Sequence, residues 1–236
     1  PRDADRLEVP LLRLASGIFT AQGSARMDTA ERTVDGTLSL TVTDASPFHA
    51  FMAPLRAAAA SAEIAFEGPL AYPALGVRAT MTDVALDTVT AASLLIDMQA
   101  SPDGPLDGDD PSVELRGRVE TSGFASRLAS LDPLLGGSPS AQVDATYRVS
   151  GQRFDVARLS VRGADARATA SGGFGVATLD VDATGTLEID DMAALSDIAG
   201  RQLGGSAAVD YTLDWSRGSD LILSLIHISE PTRLRR

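Results

Sequence analysis

Cysteine is absent from the 236 residues, which excludes disulfides, thiolate nucleophiles and cysteine-type zinc sites and fits an oxidising envelope compartment. Lysine is absent as well. All twenty basic residues are arginine, and against 32 carboxylates they leave a net charge of −12. That balance argues against nucleic acid as a partner and against a clamp on anionic headgroups, since both need clustered positive charge. Aromatic residues make up only 5% of the chain, so a core must be built from small and β-branched side chains. No apolar run reaches eighteen residues, so no segment crosses a membrane as a helix.

What is present is alternation. Residues 37–43, 113–120, 142–149 and 209–215 place apolar side chains at every second position. Residues 179–184 and 186–189 continue the pattern, and Phe154, Val156, Leu159 and Val161 join it if one bulge falls near Arg158. A period of two puts the apolar set on one face of a strand and the charges on the other. Gly, Asp and Ser clusters punctuate these runs at hairpin distances. The sum is a mainly β protein, largely antiparallel, with one face wet and one apolar.

Three stretches interrupt the strands, opening at Pro47-Phe48-His49, Gly123-Phe124-Ala125 and Asp190-Asp191-Met192. The first is expected as a helix capped by Ser46 with Pro47 at its first position, carrying Phe48, Phe51, Met52 and Leu55 on one stripe. The second places Phe124, Leu128 and Leu131 together and is stopped by Pro133. The third is capped by Asp191 and aligns Met192, Leu195 and Ile198. Helices of two to three turns are marginal alone and must dock on apolar sheet. Their spacing is uneven, so the repeat is loose. It points to an elongated stack in which each unit buries its apolar face only against its neighbours. Three short helices cannot cover so long a face, and a large uncovered apolar surface marks a binding site or interface.

The chemical motifs are weak. Asp103 to Asp110 is densely acidic but lacks the spacing and distal Glu of a calcium loop, and it reads as a solvated hairpin loop. Gly172-Gly173-Phe174-Gly175 lacks the spacing of a dinucleotide fingerprint and reads as a turn. His49 sits among apolar neighbours with no nucleophile elbow nearby, and Trp215 reads as a packing residue. No catalytic residue, metal site or cofactor is expected, and the chain is not expected to be an enzyme. Residues 223–236 break the style of everything before them. They are expected to be an adapter-derived, non-native tail behind a repetitive segment at 1–222, itself an internal fragment of a longer protein.

The interrupting segments carry a resemblance. Phe124 to Val149, Arg153 to Phe174 and Asp190 to Trp215 resemble the repeat region of the AsmA-like superfamily, and within it the TamB family of translocation and assembly module subunits. The pieces that carry it are Leu131-Asp132-Pro133-Leu134-Leu135-Gly136-Gly137, Leu195 through Gly205, Arg158 through Ala166, and Gly68-Pro69-Leu70-Ala71-Tyr72-Pro73-Ala74-Leu75. The resemblance implies an elongated antiparallel sheet curved into an open apolar, β-taco-like groove, with three short helices. It also implies a periplasmic location, in a protein anchored to the inner membrane by a segment preceding this one. The implied function is a passive conduit for phospholipids between the membranes, linked to outer-membrane protein assembly and secretion. The implied partners are phospholipid acyl chains and an Omp85-type, TamA-like outer-membrane protein.

The alternating residues supply the candidate lining: Leu38, Leu40, Val42, Ile64, Phe66, Leu94, Ile96, Val113, Leu115, Val119, Val143, Tyr147, Val149, Val181, Val209, Tyr211 and Leu213. The alternative is a structural β-repeat protein, an adhesin or β-solenoid, with these residues sealed in a closed core. An outer-membrane barrel fits the alternation but lacks the aromatic girdles.

Overall fold

The computed structural model describes residues 6–126, 132–196, 200–217 and 222–228. The strands are β1 (Arg6–Ala15), β2 (Phe19–Asp28), β3 (Thr33–Val42), β4 (Leu55–Arg56), β5 (Ala59–Pro69), β6 (Ala74–Leu86), β7 (Val89–Pro102) and β8 (Ser112–Ser122). They continue as β9 (Ala125–Ser126), β10 (Ser140–Arg148), β11 (Arg153–Arg162), β12 (Ala166–Gly175), β13 (Val181–Ile189), β14 (Ala207–Trp215) and β15 (Ile222–Ile228). All belong to one antiparallel sheet whose order follows the chain from β1 to β15, and it does not close into a barrel. The two-residue strands β4 and β9 lie off this path, against β6 and β7. β15 pairs with β14 and runs across the boundary expected at 222.

The sheet is one layer deep among the described residues. Strand-to-strand contacts run between neighbours in the sheet, and the buried apolar residues are few: Ala45, Ala57, Val84, Ala91, Ala166 and Ile189. The chain exposes 15578 Å², whereas a compact chain of this length exposes about 10,000 Å². The excess is what an uncollapsed sheet produces.

The loose repeat of the sequence is a regular one in space. Linkers interrupt the path after β3, after β8 and after β13, and four strands separate each linker from the next. Because every pairing is antiparallel, β3, β8 and β13 run in the same direction, and all three linkers stand on one rim. The units are therefore β5–β8 and β10–β13. An aspartate ties each linker down. The Asp44 carboxylate accepts from the Ser46 N–H at 3.0 Å, Asp132 from Ser126 at 2.7 Å, and Asp191 from Ala193 at 2.8 Å.

Several expectations need correction. The linkers carry single helical turns in place of two- or three-turn helices: a 3-10 turn at Ser46–Phe48 leading into α1 (His49–Met52), then α2 (Asp132–Leu135), then a 3-10 turn at Met192–Leu195. Ser46 is not a cap, because it lies inside its turn and Asp44 bonds its N–H. Leu55 has left the helix for β4. Ala125 and Ser126 pair with β7 as β9, and Pro133 opens α2 where it was expected to stop a helix; proline lacks the N–H that a first turn leaves unused. Leu128, Leu131 and Ile198 lie outside the described residues. Asp191 does cap its turn, as expected. The run expected to start at Leu179 starts at Val181, since Leu179 sits in a turn at φ 52°.

The glycine run 172–175 is inside β12, not a turn. Its glycines serve close approach. A Cβ on Gly172 would strike the Asp182 carbonyl, and one on Gly173 would occupy the place of the Arg153 guanidinium.

Candidate functional site

The strand register decides which side chains share a face, because directly paired residues point the same way. One row can be followed across ten strands: Leu40, Ala62, Ala79, Ile96, Val119, Ala141, Val161, Ala168, Leu187 and Val209. Every member is apolar. The row one residue away reads Ser39, Glu63, Arg78, Asp97, Arg118, Gln142, Ser160, Thr169, Thr186 and Asp210, and every member is polar.

Sixteen of the seventeen candidate residues lie in strands and fall on the first of these faces by register. The exception is Val149, one residue beyond β10, whose N–H donates to the Pro111 carbonyl at 3.0 Å. The bulge expected near Arg158 is present, and it keeps Val156 and Leu159 on the same face as Phe154 and Val161. The acidic run 103–110 lies in the connection between β7 and β8, and Trp215 ends β14 opposite Val181.

Sequence reasoning missed part of this face. Met27, Val77, Met81, Met98 and Phe174 also lie on it, as do Phe154, Leu187 and Trp215, which the alternation included but the candidate lining did not. Alanine and glycine break up the apolar rhythm around many of them. Those glycines are filled from the side: Phe66 lies over Gly36, Met98 and Val143 over Gly117, and Tyr211 over Gly185. Large side chains thus lie along the sheet and not upright, an arrangement that covers glycine backbone with aromatic or thioether surface. Tyr211 reaches far enough for its hydroxyl to donate to the Thr169 carbonyl at 3.3 Å, two strands away. Tyr147, Phe154 and Phe174 form a ladder across β10, β11 and β12, with ring centroids 4.7 and 6.4 Å apart. Thr121 is a polar member of this face, and its hydroxyl donates to the Pro139 carbonyl at 2.9 Å.

The opposite face is held by cross-strand ion pairs. Arg78 meets Asp97 at 2.8 Å, Arg148 meets Asp155, and Arg153 bridges Asp180 at 2.8 Å and Asp182. Hydrogen bonds to Asp182 and then Asp180 push the Arg153 guanidinium above its ordinary range, and the bond to Asp97 does the same for Arg78. These pairs are exposed or, at Arg153 and Asp180, half-buried, and add little stability each.

His49 Nε2 lies 2.9 Å from the Ala57 carbonyl and donates to it. A hollow of about 910 Å³ opens at the rim beside His49, Arg56, Asp87, Thr88 and Ser126, away from the centre of the apolar rows. Among the described residues no three His, Asp or Glu side chains converge as a metal site, and no helix is long and apolar enough to cross a membrane.

No family model matches this chain, and neither does any curated protein or solved structure.

Proposed function

We propose that this chain is the periplasmic groove segment of a TamB-like envelope protein, a passive conduit whose apolar face carries phospholipid acyl chains between the membranes. What supports the reading is the register of an open sheet, which aligns apolar residues across ten strands on one face, with the resemblance of the linkers to AsmA-like repeats beside it. Neighbouring strands lie ~4.8 Å apart, so the thirteen strands of the pairing path extend ~58 Å along the sheet. A two-chain lipid in water forgoes about 0.8 kcal/mol per methylene, on the order of tens of kcal/mol in all. A continuous apolar face removes most of that barrier. Because its contacts are dispersive and repeat from strand to strand, no single position holds the lipid. Such a conduit uses no catalytic residue. Transfer of lipid onward, and the link to outer-membrane protein assembly, would fall to an Omp85-type partner.

The test is photo-crosslinking of a phospholipid carrying a photoreactive acyl chain to the purified chain, with Leu115→Arg and Val143→Asp as variants. Both positions are on the apolar face, and Val143 lies against Gly117. Crosslinking should fall several-fold in each variant while the circular dichroism of the sheet is kept. Unchanged crosslinking in a folded variant would refute the conduit and leave a structural β-repeat protein as the reading.

A further inference from the structure

We propose that the polar face, on the side away from the apolar rows, holds a phosphate-binding site built by Arg118, Arg158, Arg162 and Arg167. The four line one depression of about 240 Å³ over β8, β10, β11 and β12, and one carboxylate, Glu188, joins them. A local excess of cation stands out in a chain whose net charge is −12.

The register makes the excess costly. Arg162 and Arg167 are directly paired across β11 and β12. Their Cβ atoms are therefore about 5 Å apart, and like charges in that position oppose pairing. The sheet contains the same arrangement once more, and there it is compensated. Arg148 and Arg153 are directly paired across β10 and β11, and Asp155, Asp180 and Asp182 all form ion pairs with them. At the Arg162 end the compensation is partial. Arg167 meets Asp190 at 3.0 Å and Arg118 meets Glu120. Arg158 and Arg162 make no ion pair among the described residues, although each is exposed on the polar face.

An oxyanion supplies what the carboxylates do at the other end. Guanidinium groups bind a tetrahedral phosphate through paired, charge-assisted N–H donors, and the Thr169 and Ser160 hydroxyls on the floor of the depression add neutral donors. The shared chemistry is a phosphate group, either free or on a lipid headgroup.

The experiment uses the whole chain at low ionic strength. Inorganic phosphate is titrated calorimetrically, and co-sedimentation is measured with phosphatidylcholine vesicles with and without phosphatidic acid. Arg162→Gln should weaken binding by about tenfold, the effect of losing a charge-assisted contact, and Arg158→Gln should do the same. Arg148→Gln, at the compensated pair, should change it by less than about twofold. Arg162-dependent binding of inorganic phosphate supports the site with free phosphate as a sufficient ligand. Arg162-dependent binding of phosphatidic acid vesicles alone supports it with a headgroup phosphate as the ligand. Binding of neither, or equal weakening by Arg148→Gln, overturns it. The arginines are exposed, so circular dichroism should be unaltered. If Arg162→Gln does not fold, Arg158→Gln carries the same test.

Discussion

The unit β5–β8 and the unit β10–β13 have the same number of strands between the same kind of linker, yet they close the rim by different means. In the first, β6 and β7 are 13 and 14 residues long, and their hairpin overshoots its neighbours. The overshoot is flanked by β4 on one side and β9 on the other, and Ala57, Val84 and Ala91 form a small buried cluster there. In the second, β11 and β12 are 10 residues each, and the hairpin turn stops at the rim. The linkers bond straight to that turn: the Ala164 and Asp165 N–H groups donate to the Leu135 and Leu134 carbonyls, and the Asp190 N–H donates to the Asp165 carbonyl. Both units fasten their linkers through backbone hydrogen bonds, the first by the short strands β4 and β9 beside a buried cluster, the second directly at the hairpin turn. The repeat keeps strand count and rim attachment, while hairpin length is free to vary.

If the units are coupled only through adjacent strands, damage to one rim should stay local. The largest effect is expected at Ile189, which is 7% exposed and pairs with the buried Ala166 at the rim of the second unit. Ile189→Ala should cost about 2–4 kcal/mol, and Val84→Ala in the first unit about 2 kcal/mol by loss of methyl groups and the cavity left. Native-state hydrogen exchange, followed strand by strand, should show each loss mainly in its own unit. Equal loss of protection in both units from either variant would break the comparison.

Two glycines sharpen it further. A Cβ on Gly163 would press on the Leu134 carbonyl and come within 2.6 Å of the Leu135 Cα, both backbone. Gly123, at φ 59°, would bring a Cβ within 2.7 Å of the Ala92 side chain. Gly163→Ala should therefore cost about 2–3 kcal/mol and detach the second linker from its turn. Gly123→Ala should cost about 1–2 kcal/mol, mainly for the left-handed backbone. Urea titration of the two variants checks the order. On the polar face the effects are smaller still. Arg153→Gln should lower the urea midpoint slightly at low salt and not measurably at high salt, because its carboxylate partners are partly exposed.

Much of this architecture was legible in the chain. Alternation at 37–43, 113–120 and 142–149 named strands and faces correctly, because a period of two leaves no freedom about which residue points where. The four-strand period was hidden, since 13- and 14-residue strands in one unit and 10-residue strands in the other shift the linkers in sequence without shifting them in space. β2 and β12 escaped because glycine and alanine stand at their apolar positions, as at Gly23, Ala25, Ala170 and Gly172, and β1 because a register shift between Val9 and Leu12 breaks its alternation. Helices were overestimated from Phe48 and Met192. A stripe of apolar residues is a helix signal only where a helix has a surface to cover, and here the linkers have only a rim. The arginine cluster was invisible, because Arg118, Arg158, Arg162 and Arg167 meet only once four strands are in register.

The smallest effect is a difference in acid response between the linkers of the two units. The Ser46 hydroxyl and then the Ser46 N–H hold the Asp44 carboxyl below the ordinary carboxylate range, with the charge of His49 adding to them and desolvation opposing. A carboxyl whose folded pKa is depressed contributes stability that is fully present above its unfolded value, and that is lost as pH falls through the lower folded value. The window therefore opens below about pH 4. Across it, the Ser46 amide should lose exchange protection in the first linker. The Ala164 and Asp165 amides should keep theirs, because they donate to backbone carbonyls that do not titrate. Asp44→Asn retains a side-chain oxygen to accept from Ser46 but removes the charge, so it should flatten the response of the first linker and leave the second unchanged. Equal loss of protection at Ser46 and at Ala164 over that window would mean that the two linkers are fastened alike, and the distinction between a carboxylate-held linker and a backbone-held one would fail at its most sensitive point.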